Sequence, residues 1–249
     1  MSPISPAHRP CALIPVYNHE HALPAVVAAV LEAGLPCLLV DDASSPACAA
    51  VIDRLATEAN TYLLRLPHNQ GKGGAVMAGL REAQRLGFSH ALQVDADGQH
   101  DLQAVPAFLD ESRGHPDAII CGYPEYDASV PKGRLYARYL THVWVWINSL
   151  SLQIRDSMCG FRVYPLAASV ALIDSAKLGT RMDFDSEILV RLSWRRQPMR
   201  WLPTRVHYPA DGVSHFRLWQ DNVLISKMHT RLFFGMLCRA PWLLYRRWR

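Results

Sequence analysis

Residues Leu92–Asp101 read LQVDADGQHD: an apolar run leads into two carboxylates one residue apart, followed by a glycine. In an extended chain residues i and i+2 point the same way, so Asp95 and Asp97 can present oxygens to one ion, with the amide oxygen of Gln99 in reach. Mg²⁺ and Mn²⁺ take oxygen ligands and commonly share their coordination sphere with substrate phosphates. The same letters also suit a turn at Asp97-Gly98 with Asp95 as a helix-capping side chain. The pair alone does not decide between them.

Working outward from this point, strands and helices alternate. Cys11–Val16 reads as a buried strand, and Leu23, Val26, Val27, Val30 and Leu31 follow the i, i+3, i+4 pattern of a helix stopped by Gly34. A strand at Cys37–Val40, a helix over Pro46–Ala59, a strand at Tyr62–Leu66, a helix over Lys72–Leu86 and a strand at Ala91–Val94 come next. Downstream the pattern gives a helix near Leu102–Ser112, a strand at Ala118–Cys121, and a polar stretch, Gly122–Gly133, that reads as a mobile loop. A helix over Leu135–Leu150, a helix over Phe184–Trp194 and a strand near Arg200–Val206 complete the series. This alternation predicts an α/β chain with right-handed crossovers and a mainly parallel, Rossmann-like sheet covered on both faces. Ligands of such sheets bind outside the carboxyl ends of the strands. Asn18, Asp41, Asp42 and Asp95 all fall at such ends, which gathers them on one rim.

At 249 residues the chain suits one large domain: residues 11–217, preceded by a disordered N-terminus over 1–10 and followed by a basic amphipathic helical tail over 218–249. Half the residues are apolar and 19% are charged, which excludes wholesale disorder. No apolar run approaches the 18 or so residues that span a bilayer. The opening MSPISPAHRP lacks the apolar segment of a secretory signal, so export is not expected. Six cysteines without a CxxC pair read as small buried hydrophobes rather than zinc ligands or disulfides. The net charge of +4 is unevenly spread, with residues 195–249 carrying +9 and the first 194 carrying −5. In the tail, Leu218, Ile225, Met228, Leu232 and Met236 fall at near-helical spacing with Lys227, Arg231 and Arg239 between them, and the chain ends PWLLYRRWR. Basic residues interleaved with Trp, Phe and Leu fit a helix lying on an anionic membrane, and also a helix closing the core. Nothing resembles a nucleic-acid-binding module.

The glycine-rich Asn69–Gly74 lets backbone approach a ligand at a helix start, where N–H groups favour anions, and Lys72 adds a point charge. It is neither GxGxxG nor a P-loop. Asp42, at a strand end, suits a nucleotide base N–H or a ribose hydroxyl, or else the cap of the helix beginning near Pro46. Asp185 leads the candidates for a general base, with Asp156 and Glu187 behind it; Asp183 and Asp185 also read as helix-start carboxylates. Arg162 and Arg181 suit phosphate contacts or ion pairs.

Taken in order, Ala12–Asn18 (ALIPVYN), Val40–Ser44 (VDDAS), Asn69–Gly74 (NQGKGG), the DxD, Asp156–Arg162 (DSMCGFR) and Met182–Ile188 (MDFDSEI) resemble the motifs of family 2 glycosyltransferases, in the branch similar to dolichol-phosphate mannose synthase. The resemblance runs from Cys11 to Arg217. It implies a GT-A fold and inverting, metal-dependent transfer of a sugar, as a hexosyltransferase, from a UDP- or GDP-linked donor to a lipid-linked acceptor. That acceptor would be a polyprenyl phosphate or a lipid hydroxyl, met at the inner face of the cytoplasmic membrane. It further implies Mg²⁺ or Mn²⁺ at Asp95, Asp97 and Gln99. The donor would lie along Pro15, Tyr17, Asn18, Asp42, Gly71, Lys72, Asp95 and Ala96, with Arg162, His215 and Arg217 toward its diphosphate. Asp211–Arg217 resembles the family's substrate-closing loop, although that branch more often has lysine where His215 stands. Two other readings use the same acidic rim: a catalytically weak nucleotide-binding module tethered to membrane, and a metal-dependent phosphohydrolase or nucleotidyltransferase.

Overall fold

A computed structural model of the chain describes residues 8–125, 132–205 and 217–245, with the backbone alone for 132–137. Seven strands form one sheet: β1 Pro10–Val16, β2 Cys37–Asp41, β3 Thr61–Arg65, β4 His90–Gln93, β5 Ile119–Glu125, β6 Arg162–Pro165 and β7 Met199–Arg205. Their order is β3-β2-β1-β4-β6-β5-β7. All neighbours run parallel except β6, which is antiparallel to both β4 and β5. The helices are α1 Leu23–Glu32, α2 Pro46–Leu55, α3 Lys72–Arg85, α4 Val105–Gly114, α5 Lys132–Ser149, α6 Leu166–Ser175, α7 Phe184–Trp194 and α8 Leu218–Tyr245.

Strand alternation divides the core in two. Leu13, Leu38 and Val40 face a layer built from α3, α5, α6, α7 and α8, whereas Ala12, Ile14, Cys37 and Leu39 face α1, α2 and α4. The expected α/β class with helices on both faces is therefore observed, and the mainly parallel sheet with it.

Three local expectations change. Gly122–Glu125 continues β5 instead of forming a loop, paired with Leu202–Arg205 of β7; residues 126–131 of that expected loop lie outside the described residues. The strand β6 and the helix α6 were not legible, because RVYP is only four residues long and ends in a proline that also opens the next helix. The helix over Pro46–Ala59 ends at Leu55, and its N-cap is Ser45, whose hydroxyl accepts from the Cys48 amide at 3.4 Å.

The antiparallel strand matters for the site. Arg162 is the first residue of β6 and stands in register with Gln93 and Cys121. The loop entering β6 is thereby delivered to the same rim as the carboxyl ends of β1, β2 and β4.

Candidate active site

The rim is assembled by short-range devices in each loop. After β1, Asn18 takes a positive φ of 55°, a conformation asparagine tolerates, and its Oδ1 accepts the Ser45 amide at 2.7 Å. Pro15 and Val16 pair with Val40 and Asp41 in β2, which fixes Tyr17 and Asn18 beside Asp42. Asp42 is buried, and its two carboxylate oxygens accept the amides of Gln70 at 2.6 Å and Gly71 at 2.9 Å. Burial raises its pKa, and those two amides only partly offset this. Here Asp42 holds the Asn69–Gly74 loop and caps no helix; its neighbour Asp41 pairs with Arg65 at 2.8 Å.

Gly71, with φ of 82°, ends that loop and lets it lie on the segment before α7: a Cβ there would meet the Thr180 carbonyl at 2.7 Å. The next residue, Lys72, begins α3 and reaches across the rim. Its Nζ lies 2.8 Å from Asp95 Oδ2 and 3.5 Å from Asp185 Oδ2. Burial alone would lower the Lys72 pKa, but Asp185 and Asp95 outweigh it and hold the ammonium charged. Burial likewise favours the neutral form of Asp95, and Lys72 with His100 reverses this, so the carboxyl is held below the usual carboxylate range.

Behind this pair runs a buried polar chain. Gln93 Nε2 donates to Asp95 Oδ1 at 3.5 Å, the Tyr164 hydroxyl donates to Gln93 Oε1 at 3.4 Å, and Arg162 Nη1 donates to the Tyr164 oxygen at 3.3 Å. The same Arg162 nitrogen donates to the Asp185 carbonyl at 2.7 Å and lies 3.8 Å from Asp185 Oδ1, and Nη2 donates to the Ser157 carbonyl at 2.8 Å. Arg162 is fully enclosed, so it braces the site from within and does not stand at the surface where a phosphate would approach. Asp185 Oδ1 is buried and has no hydrogen-bond partner among the described residues.

The other two base candidates are differently placed. Asp156 accepts Arg138 Nε at 2.7 Å and the amides of Met158 and Cys159 at 2.9 and 2.7 Å. Burial opposes its charge, but His142 and Arg138 outweigh it and lower the pKa. Glu187 accepts the Gly179 amide at 2.8 Å, Arg191 at 2.7 Å and Arg231 at 2.6 Å. Both are knots between elements, Asp156 tying α5 to the loop before β6 and Glu187 tying α7 to α8. Of the three, only Asp185 faces Lys72 and Asp95. Arg181, offered for phosphate, pairs with the buried Asp221 at 2.9 Å. The Arg217 amide donates to Asp221 at 2.7 Å just before α8, and His215 lies outside the described residues.

At the DxD, Asp97 Oδ1 accepts the Gln99 amide at 3.0 Å, closing a turn through Gly98, and Ala96 is buried beneath it. His100, which no motif marks, packs at a tilt of 55° on Phe161 and accepts the Asp95 amide through Nδ1 at 3.3 Å, leaving Nε2 3.7 Å from Asp95 Oδ2. No motif marks Gln93 either, although a glutamine inside an apolar strand is itself a signal of a buried polar partner. Among the described residues no three His, Cys, Asp or Glu side chains converge as a closed metal cage. Two carboxylates with an amide and an imidazole nearby suit a hard divalent cation that completes its shell with ligand phosphates.

Comparison with known proteins follows the same direction. The family model described as glycosyl transferase family 2 matches residues 11–172. The chain is 28% identical over 193 residues to an undecaprenyl-phosphate mannosyltransferase of Micrococcus luteus, covering 70% of this chain and 75% of that one. It is also 28% identical over 176 residues to a polyprenol monophosphomannose synthase of Mycolicibacterium smegmatis, covering 65% of this chain and 63% of its length. Among solved structures, glucosyl-3-phosphoglycerate synthase from Mycobacterium tuberculosis, in complex with Mn²⁺, UDP and phosphoglyceric acid, superposes with a TM-score of 0.67 at 10% identity, covering 92% of this chain and 78% of that one.

Proposed function

The chain belongs to glycosyl transferase family 2, has a GT-A type fold and is a glycosyltransferase; on that premise we propose that it moves a sugar, with inversion, from a UDP- or GDP-linked donor to a polyprenyl phosphate. The observation that carries this reading is the line Asp95–Lys72–Asp185, with separations of 2.8 and 3.5 Å, at the rim where β1, β2 and β4 end. It sets a donor-side carboxylate and an acceptor-side carboxylate on either side of one ammonium. The relatives named for polyprenol and undecaprenyl phosphate support the acceptor class.

Asp95 and Asp97, with Gln99, would hold Mg²⁺ or Mn²⁺, and the bound cation would neutralise the diphosphate as it leaves. This chain's own residues do the positioning. Asp42 braces the Asn69–Gly74 loop through the Gln70 and Gly71 amides, and the Gly74 amide donates to the Thr180 carbonyl at 2.9 Å, which holds the α3 N-terminus and its Lys72 at the rim. A polyprenyl phosphate, with a second pKa of about 6, is already largely anionic near neutral pH, so its attacking oxygen needs no strong base. Asp185 then orients Lys72; toward a hydroxyl acceptor the same carboxylate would take the proton.

The acceptor class calls for a membrane surface, and two helices offer one. Tyr139, Leu140, Trp144 and Ile147 are exposed on α5, and Phe234, Leu237, Leu244 and Tyr245 on α8. The helices meet where Trp144 packs edge-on against Phe233 at 6.4 Å. Neither carries an exposed carboxylate: α5 has none, and the one in α8, Asp221, is buried. Lys227, Arg231 and Arg239 form the polar edge of α8. Among the described residues no helix is long and apolar enough to cross a membrane. We place the enzyme against the anionic inner face of the cytoplasmic membrane, with the first part of α8 closing the core through Met228, Leu232 and Met236.

The test is transfer by the full chain from radiolabelled UDP- and GDP-sugars to a polyprenyl phosphate in micelles, with Mn²⁺ or Mg²⁺. Appearance of a lipid-linked sugar with one nucleotide family supports the proposal. Nucleotide release without a lipid product points to a hydrolase, and nucleotide binding without turnover points to a binding module.

A further inference from the structure

We propose that Lys72 is a built-in competitor for the divalent cation at Asp95, so that loading the metal releases its ammonium toward Asp185 and links the donor side of the site to the acceptor side. The inference rests on the metal-dependent reading above.

The ammonium lies 2.8 Å from Asp95 Oδ2, an oxygen of the carboxylate that opens the DxD. A divalent cation drawn to that carboxylate meets a like charge already in contact with it. The ammonium has little room to retreat sideways: the backbone of Gly160 closes one side, so tightly that a Cβ there would lie 3.1 Å from Nζ. Asp185 lies ahead of it: Oδ2 stands 3.5 Å away, and Oδ1, 3.8 Å from Arg162 Nη1, has no hydrogen-bond partner among the described residues. Moving Nζ by a rotamer adjustment toward Asp185 therefore shifts the ammonium between two carboxylates already within ion-pair range and strands no charge. A lysine side chain, with four rotatable bonds, can make that shift while α3 stays fixed. Asp185 in turn is held from behind by Arg162, through its carbonyl at 2.7 Å, so it is the ammonium that moves.

The test is Mn²⁺ binding to the full chain without nucleotide, read from loss of the free-ion electron paramagnetic resonance signal, for wild type, Lys72→Met, Lys72→Arg, Asp185→Asn and the double variant Lys72→Met with Asp185→Asn. Circular dichroism and thermal melting establish that each is folded. Lys72→Met should bind Mn²⁺ about tenfold more tightly than wild type, and Lys72→Arg should stay near wild type. Asp185→Asn should weaken binding several-fold when Lys72 is present, because the ammonium loses its second partner, and should have no such effect in the Lys72→Met background. Equal or weaker affinity in folded Lys72→Met, or additive effects in the double variant, overturn the competition while leaving the metal reading intact. Absence of Mn²⁺ binding in every folded variant overturns both. If Lys72→Met does not fold, the Asp185→Asn result decides: unchanged affinity overturns the proposal.

Discussion

Gly160 leaves no room for a side chain beside Lys72: a Cβ on the glycine would lie 3.1 Å from the lysine Nζ, 2.8 Å from Gln93 Nε2 and 3.2 Å from Asp95 Oδ2. Backbone from one end of β6 thus forms the wall against which a charge from α3 is held.

Gly160→Ala should therefore act on the site more than on the fold. The atoms it meets are side-chain ends that can shift but are hydrogen-bonded to one another, so the loss of stability should be about 1–2 kcal/mol, as for modest overpacking. Sugar transfer should fall by at least about tenfold as Lys72 and Asp95 are displaced, a shift of about 1.4 kcal/mol in the barrier. Urea unfolding and steady-state transfer on the same preparation separate the two.

The three acidic candidates should part by phenotype. Asp156→Ala leaves Arg138 facing a buried gap and frees two amides, and should cost about 3 kcal/mol of stability. Glu187→Ala should also destabilise, since it leaves Arg191 and the Gly179 amide without their acceptor, while the half-exposed Arg231 can turn to solvent. Asp185→Asn keeps shape and most packing, so its melting temperature should stay near wild type while transfer drops by about 100-fold as Lys72 loses the carboxylate that orients it. A parallel loss of stability and activity in Asp185→Asn would mark it as one more structural carboxylate.

Acid should loosen the α5–α8 contact. His229 is buried between them, bonded through Nδ1 to Asn148 Nδ2 at 3.1 Å, and burial lowers its pKa from 6.5 to about 4. The folded state thus holds the ring neutral where the unfolded chain would protonate it, so this contribution is full above pH 6.5 and is lost as pH falls toward 4. Between pH 7.5 and 5 wild type should lose about 2 kcal/mol through this residue, at 1.36 kcal/mol per pKa unit. His229→Gln should flatten that part of the profile in denaturant titrations at the two pH values.

Membrane contact should need both helices. Leu140→Ser together with Phe234→Ser removes exposed surface, not core, so the fold should persist. Sedimentation with vesicles containing anionic lipid should fall several-fold, and binding by wild type should weaken with salt, as expected where basic residues contribute about 1 kcal/mol each near the surface. Equal sedimentation of wild type and the double variant would remove these helices from the contact.

Much of the architecture was legible because it is local. The 3.6-residue periodicity of α1 and the short apolar runs of β1, β2 and β4 follow from which side chains must be buried, and Gly34 and Gly87 mark the ends of α1 and α3. The strand β6 escaped because four residues hold too little pattern, and its antiparallel direction depends on neighbours far away in sequence. The same division runs through the site. Asp95 and Asp97 share a short segment, so their partnership could be read directly. That Asp185, and not Asp156 or Glu187, is the carboxylate opposite Asp95 could not, since all three lie near a helix start or in a loop of similar composition.

The order of motifs along the chain was enough to establish an α/β sheet with an acidic rim, since strand ends and carboxylates are properties of neighbouring residues. Only the tertiary structure decided which charges meet. Asp156 finds Arg138 on α5, Glu187 finds Arg231 on α8, and Asp185 alone faces Lys72, through pairings that span 18, 44 and 113 positions of sequence. An ion pair forms by distance in space, and that distance is set by how the helices pack on the sheet, which short-range patterning does not encode.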